Sequence, residues 1–405
     1  MKKQKKQESY KGVALALMVL SALVLLQIFS SYGKLPATIT TTKFASESID
    51  SRIDRLEQQM NQVSTETAFG GFGAHTATAR PSKEDHNWFI TAGLLYYSPN
   101  VGGTEFAFTD NGSMISYPIN GRTKDMKFGW GAGFTVGLGL NLSFDDWDLK
   151  ATYSHFSHSD SRSVNPSDCG NATVVPLRGG VCVSPTNGGS WLAAKARSSF
   201  DFDFNSIDLQ LGRNYFLSQL LSMRPFLGIK AAFIDLEQTT RYCGGNSDAG
   251  LQLFCGEHFQ FLGPNNLRVR EESDFKGAGL EVGFQGKWFL AKGFSFFADT
   301  IGSLIYGFFD VDHSEKVSSS SVENVRLSGN THRIVPTAGI TAGIAYDLFF
   351  NDDKEHIGFR FGYDTQYYWR VNQMLQVQQA GPSRYNRYSE DVSMRGIIFE
   401  GRWDF

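Results

Sequence analysis

From Trp88 to Phe405 apolar and polar positions alternate with a period of two, the signature of half-buried strands. In one stretch Phe128, Trp130, Ala132, Phe134, Val136, Leu138 and Leu140 hold the even positions, while Gly129, Gly131, Gly133, Thr135, Gly137 and Gly139 lie between them. Further on, Trp147, Leu149, Ala151 and Tyr153 alternate with Asp148, Lys150, Thr152 and Ser154. Near the end Ile357, Phe359, Phe361 and Tyr363 alternate with Gly358, Arg360, Gly362 and Asp364, and Ile397, Phe399, Trp403 and Phe405 with Ile398, Glu400, Arg402 and Asp404. One apolar and one charged face over about ten residues is the pattern of a membrane-spanning barrel strand, because ionised groups are tolerated only on the face that meets water.

Ten segments follow this rule: 87–97, 128–141, 147–157, 198–214, 224–239, 273–288, 294–310, 333–347, 355–371 and 391–405. The predicted fold is therefore all-β, a closed antiparallel transmembrane barrel of ten strands occupying residues 87–405. Twelve is the alternative, because FAFTDNGSMISYPI within 98–127 can form one more hairpin. Connections at 142–146, 215–223, 289–293 and 348–354 are short, and those at 98–127, 158–197, 240–272, 311–332 and 372–390 are long. That asymmetry predicts long loops at the cell surface and both termini in the periplasm. One segment changes phase: Phe200, Phe202 and Phe204 are even, whereas Ile207, Leu209 and Leu211 are odd. A β-bulge near Asn205–Ser206 would restore the register.

The amino end reads differently. Lys2, Lys3, Lys5, Lys6 and Lys11 precede an uncharged apolar run from Val13 to Phe29, then SSYGK, which predicts a secretory signal over 1–33. An uncleaved inner-membrane anchor is the competing interpretation. Residues 34–48 form a Thr- and Ser-rich linker. Ile49, Ile53, Leu56, Met60 and Val63 then recur at a and d spacing, predicting a short coiled-coil helix over 49–66 that would support a homo-oligomer, with a packed amphipathic helix as the alternative. A Gly- and Ala-rich linker at 67–86 follows.

Composition sharpens this reading. With 34 Phe, 15 Tyr, 7 Trp and 42 Gly in 405 residues, the chain can bury a large apolar surface, which excludes disorder for most of it. A single near-spanning apolar run excludes a polytopic helical membrane protein. A formal net charge of −3 argues against nucleic acid as a partner. Four cysteines allow three pairings, and only Cys169–Cys182 with Cys243–Cys255 closes two short loops in separate outer segments. Such disulfides fit an oxidising compartment, and the spacing does not suit a metal.

The runs DWDLKATYSHF (Asp146–Phe156), FNSIDLQLGRNYFLSQLLSMRPFLGIKAAFI (Phe204–Ile234), GKWFLAKGFSFFADTIGSLIYGFF (Gly286–Phe309) and the closing SMRGIIFEGRWDF carry a resemblance. Over residues 87–405 the chain resembles the Legionella-type pore-forming major outer-membrane proteins and related proteins of environmental chlamydiae. The resemblance implies an outer-membrane barrel with pore-forming activity, and it brings no catalytic residues. The carboxyl end, with Trp403 and Phe405, also resembles the signal by which outer-membrane lipid receives barrels from the assembly machinery, although Gly401 and Ile398 depart from the usual pattern.

Parity assigns Asp148, Lys150, Asp201, Asp203, Asp208, Glu281, Lys287, Asp299, Arg360, Asp364, Glu400 and Arg402 to the lumen. Acids outnumber bases there, which predicts a mild preference for cations. His155, Ser157, His158 and Asp160 cluster near one strand end, but nothing beyond proximity suggests catalysis. No cofactor and no enzymatic activity are expected. The expected function is a porin passing small hydrophilic solutes or ions; the alternative is a closed adhesin barrel whose stapled loops bind host or surface ligands.

Overall fold

The computed structural model describes residues 88–110, 121–142, 147–165, 173–179, 190–193, 195–218, 220–243, 259–261, 266–291, 293–318, 321–350, 355–378 and 384–405. The proposed signal, coiled coil and linkers, together with Cys169, Cys182 and Cys255, lie outside them. Cys243 closes one strand, half-buried.

Ten long strands form the wall: β1 (Trp88–Val101), β2 (Gly131–Asn141), β3 (Trp147–Val164), β4 (Lys195–Arg213), β5 (Leu221–Cys243), β6 (Asn266–Ala291), β7 (Phe294–Val317), β8 (Val325–Phe350), β9 (Glu355–Asn372) and β10 (Glu390–Asp404). Each pairs antiparallel with its sequence neighbours, and β10 pairs with β1 to close the ring. Closure leaves no unpaired edge. The hairpin within 98–127 does form, as Ala107–Asp110 against Gly121–Lys124, but it joins Thr173–Pro176 in a separate three-stranded sheet and adds nothing to the wall.

Most of the strands are longer than the alternation predicted. β6 and β8 run for 26 residues each and β7 for 24, whereas about 9–11 residues cross a bilayer. The outer face explains the excess. Near the short turns it is an apolar belt, with Leu227, Ile229, Leu280, Val282, Leu304, Ile340 and Phe361 exposed. Aromatic side chains rim it on both sides: Trp88, Trp288, Phe294 and Trp403 at the short-turn margin, and Tyr96, Trp130, Tyr306 and Phe308 at the other. Such girdles mark the two margins of a lipid-facing band.

Beyond the second girdle the same outward parity turns polar. Asp203, Asp235, Asp274 and Asp310 stand directly opposite one another across β4 to β7, and Asp201, Glu237, Glu272 and Asp312 form the next row. Arg270 bonds Glu237 at 2.8 Å and Glu272 at 2.5 Å. Directly opposed like charges are destabilising, and such rows are compatible with water and not with hydrocarbon.

This inversion corrects the phase break expected in β4. The register of β4 against β5 runs from Phe226↔Gly212 to Cys243↔Lys195 without a shift, so no bulge lies at Asn205–Ser206. Phe200, Phe202 and Phe204 share the inward parity of Asp208 and Gln210 and are buried, while Asp201 and Asp203 share the outward parity of Ile207 and Leu209 and are exposed. The apolar side of the strand changes from outside to inside where the wall leaves the belt.

Glycines on the inner face have a packing role. A methyl group at Gly139, Gly283 or Gly307 would collide with the ring of Phe89, Phe226 or Phe275 on a neighbouring strand. Inward aromatic rings thus lie flat across glycines. At the two-residue turn before β7, Gly293 has φ 85°, a conformation that suits glycine.

Candidate functional site

The interior divides into three levels. The lowest, nearest the short turns, is a cavity of about 150 Å³ lined by five carboxylates and five lysine or arginine side chains. Arg224 Nε donates to Asp148 at 2.8 Å. Lys287 lies 2.5 Å from Asp347, and His356 bridges Asp347 at 3.0 Å and Asp404 at 2.7 Å. Arg402 bonds Asp404 at 2.5 Å, and Arg360 pairs with Asp299 and, at 3.6 Å, with Glu400. The guanidinium groups of Arg360 and Arg402 also lie over Phe297 and Phe89, with 3.9 and 3.8 Å to the ring centres. Higher up, Lys230 bonds Asp208 at 2.7 Å and Glu281 at 3.4 Å, and Gln210 donates to Glu281 at 2.8 Å. Asp364 accepts from Tyr97 at 2.6 Å and Thr341 at 2.5 Å.

Ten of the twelve residues read as lumen-facing therefore point inward: Asp148, Lys150, Asp208, Glu281, Lys287, Asp299, Arg360, Asp364, Glu400 and Arg402. Asp201 and Asp203 point outward. Arg224, Lys230, Asp347, His356 and Asp404 were missed, although their parity marked them; Pro225, Leu227 and Ile229 occupy the outward positions of β5 and leave Arg224 and Lys230 inward. With these included, the excess of acids that suggested a cation preference is absent from the cavity wall.

The middle level is apolar. Phe156, Phe200, Phe202, Phe204, Ile234, Leu236, Phe275, Ile305, Phe309 and Met394 form one buried cluster inside the wall. Tyr97 and Tyr368 lie in the same cluster.

The top level is a cap contributed by two loop segments, 102–107 and 173–179. Gln238 donates to the Thr104 carbonyl at 3.1 Å, Tyr242 to the Phe106 carbonyl at 2.5 Å, and Asn372 to the Gly102 carbonyl at 2.8 Å. Arg178 is wholly buried. Its guanidinium bonds Glu271 at 2.6 Å, the Glu105 carbonyl at 2.8 Å and the Gly103 carbonyl, and lies 4.6 Å from the centre of the Tyr388 ring. Below it His313 lies 3.5 Å from Glu271 and 3.2 Å from Glu315. Burial alone would lower the His313 imidazole, but hydrogen bonds and charge from Glu271 and Glu315 outweigh it and raise the group to about 9. In Arg178 burial is likewise outweighed, by Glu271, and the guanidinium is held above its usual value.

The cluster set aside in the sequence does not assemble as a hydrolytic centre. Ser157 is exposed on the outward parity of β3, while His158 and Asp160, 2.9 Å apart, share the inward parity. His155 bonds Asn205 at 2.8 Å instead. At the carboxyl end, Trp403 lies on the outer face with its ring 5.3 Å from that of Phe405, whose amide donates to the Trp88 carbonyl at 3.0 Å.

Comparison with known proteins bears on this arrangement. The family profile described as Legionella pneumophila major outer membrane protein precursor matches residues 80–405, most of the chain. The chain belongs to this family. Membership in an outer-membrane protein family, together with the closed barrel and its apolar belt, places the chain in the outer membrane. No curated protein matches the chain. Among solved structures it is similar to the outer membrane protease OmpT of Escherichia coli, at 13% identity, covering 81% of this chain and 99% of that one with a TM-score of 0.34. It is also similar to a FadL homologue of Pseudomonas aeruginosa, at 8% identity, 79% and 90% coverage and a TM-score of 0.26. The translocator domain of the autotransporter NalP from Neisseria meningitidis gives 11%, 88% and 97%, and 0.27. None of the three bears on the activity of this family member.

Proposed function

We propose that the chain is an outer-membrane channel for small hydrophilic solutes, closed in the conformation described. Its long loops would face the cell surface and both termini the periplasm, with Trp403 and Phe405 read by the barrel assembly machinery. The observation that carries the reading is the wetness of the lowest level. Inside a closed wall, the side chains of Lys287, Arg360 and Arg402 keep 27%, 23% and 31% of their surface accessible. The carboxylates they pair with are buried, but the basic side chains border a cavity roomy enough for water, which a barrel packed only for stability would fill. Above them the apolar level is of the kind that gates by dewetting, and the cap sits over it.

The test is a liposome-swelling assay with small neutral sugars, using refolded full-length protein. Swelling that rises when Phe200, Phe202 and Phe204 are shortened to alanine supports a channel with an apolar gate. Swelling at the empty-vesicle rate for the wild type and the shortened variant alike contradicts it. A second reading is favoured by the same apolar level: a permanently closed barrel that presents surface loops to ligands. Loop replacement that abolishes adhesion with no effect on permeability would support that alternative.

A further inference from the structure

The outer face of the wall carries a second charged band, above the acidic one. Arg197 of β4 stands opposite Arg241 of β5, Arg241 opposite Arg268 of β6, and Arg268 opposite Lys316 of β7. All four are exposed. Neighbouring strands lie about 4.8 Å apart, so the row is about 14 Å long. Among the described residues Arg197, Arg241 and Arg268 form no ion pair, and Lys316 donates to the Ser321 carbonyl at 3.3 Å. Partial burial, together with Arg241 and Arg270 nearby, holds the Arg268 guanidinium below its usual value. Like charges directly opposed destabilise a sheet, and an anion laid along them relieves that repulsion. The acidic rows do not supply it. The nearer of them, Asp201, Glu237, Glu272 and Asp312, lies four residues away on each strand. That is about 13 Å along the strand, beyond the screening length of about 8 Å at physiological salt. Arg270, between the two bands, is already held by Glu237 and Glu272.

Height and chemistry select the kind of anion. Lys316 lies eight residues beyond Phe308 of the upper girdle. For a strand tilted by about 40° that places the row about 20 Å above the girdle. Lipid headgroups meet the acidic rows first, so the membrane does not supply the partner. Ser199, Thr239, Arg270 and Ser314 form the next row down, and neither row holds an aromatic or large apolar side chain. A protein interface centres on apolar and aromatic side chains, and single-stranded nucleic acid stacks its bases on aromatic rings. A chain of spaced oxyanions needs neither, because guanidinium groups bind them by charge-assisted hydrogen bonds.

We propose that this row binds a linear anionic polysaccharide outside the cell, with Arg197, Arg241, Arg268 and Lys316 each taking a sulfate or carboxylate group. The binding surface is the wall itself and not the loops. The inference rests on the orientation proposed above, with the long loops at the cell surface, and is independent of whether the barrel conducts.

Titration of refolded full-length protein with heparin, and separately with alginate, tests the proposal. The wild type should bind at least one of them saturably, with an affinity that falls steeply as salt is added. A variant combining Arg197→Ser, Arg241→Ser and Arg268→Ser should bind about tenfold or more weakly and with a shallower salt dependence. Serine already occupies this row as Ser163, opposite Arg197, so the change suits the strand. Lysine at the same three positions should retain binding, which separates charge from fold. Tighter binding of heparin assigns the row to sulfate, and tighter binding of alginate to carboxylate. Equal affinity of the wild type and the serine variant, no saturable binding of either polysaccharide, or tighter binding of poly-glutamate than of both, overturns the proposal. On intact cells, labelled heparin or alginate, whichever bound in solution, should be captured more by the wild type than by the serine variant. Binding by refolded protein with no difference between the two kinds of cell removes the orientation and leaves the row standing as a polysaccharide site.

Discussion

Replacing Arg178 with alanine should release the cap while leaving the barrel wall intact. Arg178 and Glu271 are both fully buried, and the guanidinium joins Glu271 to two carbonyls of the opposite loop segment. Removing one partner of a buried pair typically costs about 3–5 kcal/mol, because the remaining charge stays desolvated. The wall strands keep every ladder hydrogen bond, so the cost falls on docking of the segments at 102–107 and 173–179. At about 1.4 kcal/mol per tenfold, the open population of the cap should rise by roughly a hundredfold to several thousandfold. Hydrogen exchange at two amides reads this directly: Phe106, whose N–H donates to the Lys124 carbonyl at 2.9 Å, and Leu177, whose N–H donates to the Phe106 carbonyl at 3.1 Å. Exchange at both should accelerate by that factor, while amides of β5 and β6 near the short turns stay protected. Adding Glu271→Gln should recover part of the loss, since no carboxylate is then stranded. Unchanged exchange at Phe106 and Leu177 in the single variant would refute the assignment of Arg178 as the latch.

Other consequences are equally accessible. His313 is raised from an ordinary value of 6.5 to about 9, so the folded chain holds a proton there that the unfolded chain has released. Its contribution, of about 3 kcal/mol, should be complete below pH 6.5 and lost as the pH rises through 9; denaturant midpoints across that range should fall for the wild type and fall less for His313→Gln. Gly307→Val should destabilise the barrel by about 1–3 kcal/mol in urea titration, because the new side chain meets the Phe275 ring. In a background lacking the native cysteines, Asp201→Cys should react rapidly with a membrane-impermeant maleimide and Phe202→Cys slowly, and the reverse order would contradict the outward placement of Asp201.

The ladder was legible because a two-residue period and turn composition are local properties. All ten wall segments were visible this way, and parity alone identified the two faces of each. It did not identify which face meets lipid. In β4 the apolar residues move from odd positions at Ile207, Leu209 and Leu211 to even positions at Phe200, Phe202 and Phe204 without any shift of register. A bulge would produce that string, and so would a strand that leaves the membrane and encloses its own apolar core. The deciding information lies on other strands, where Asp235, Asp274 and Asp310 line up with Asp203. Arg178 carried no comparable signal. It sits in a loop with no periodicity, and only the three-dimensional path of the chain brings it to Glu271, 93 residues away. Glu271, His313 and Glu315 were hidden for a related reason, because the strands that carry them extend into stretches that read as loops.

Single-channel recording across a planar bilayer tests the central claim, that a charged vestibule lies behind a closed apolar level and cap. Refolded wild-type protein should be silent for most of the record with brief stepwise openings. Under the same voltage, a variant combining Arg178→Ala with alanine at Phe200, Phe202 and Phe204 should open often and to a larger conductance. Silence from both proteins at every voltage, or a large and steady conductance from the wild type, would contradict the account.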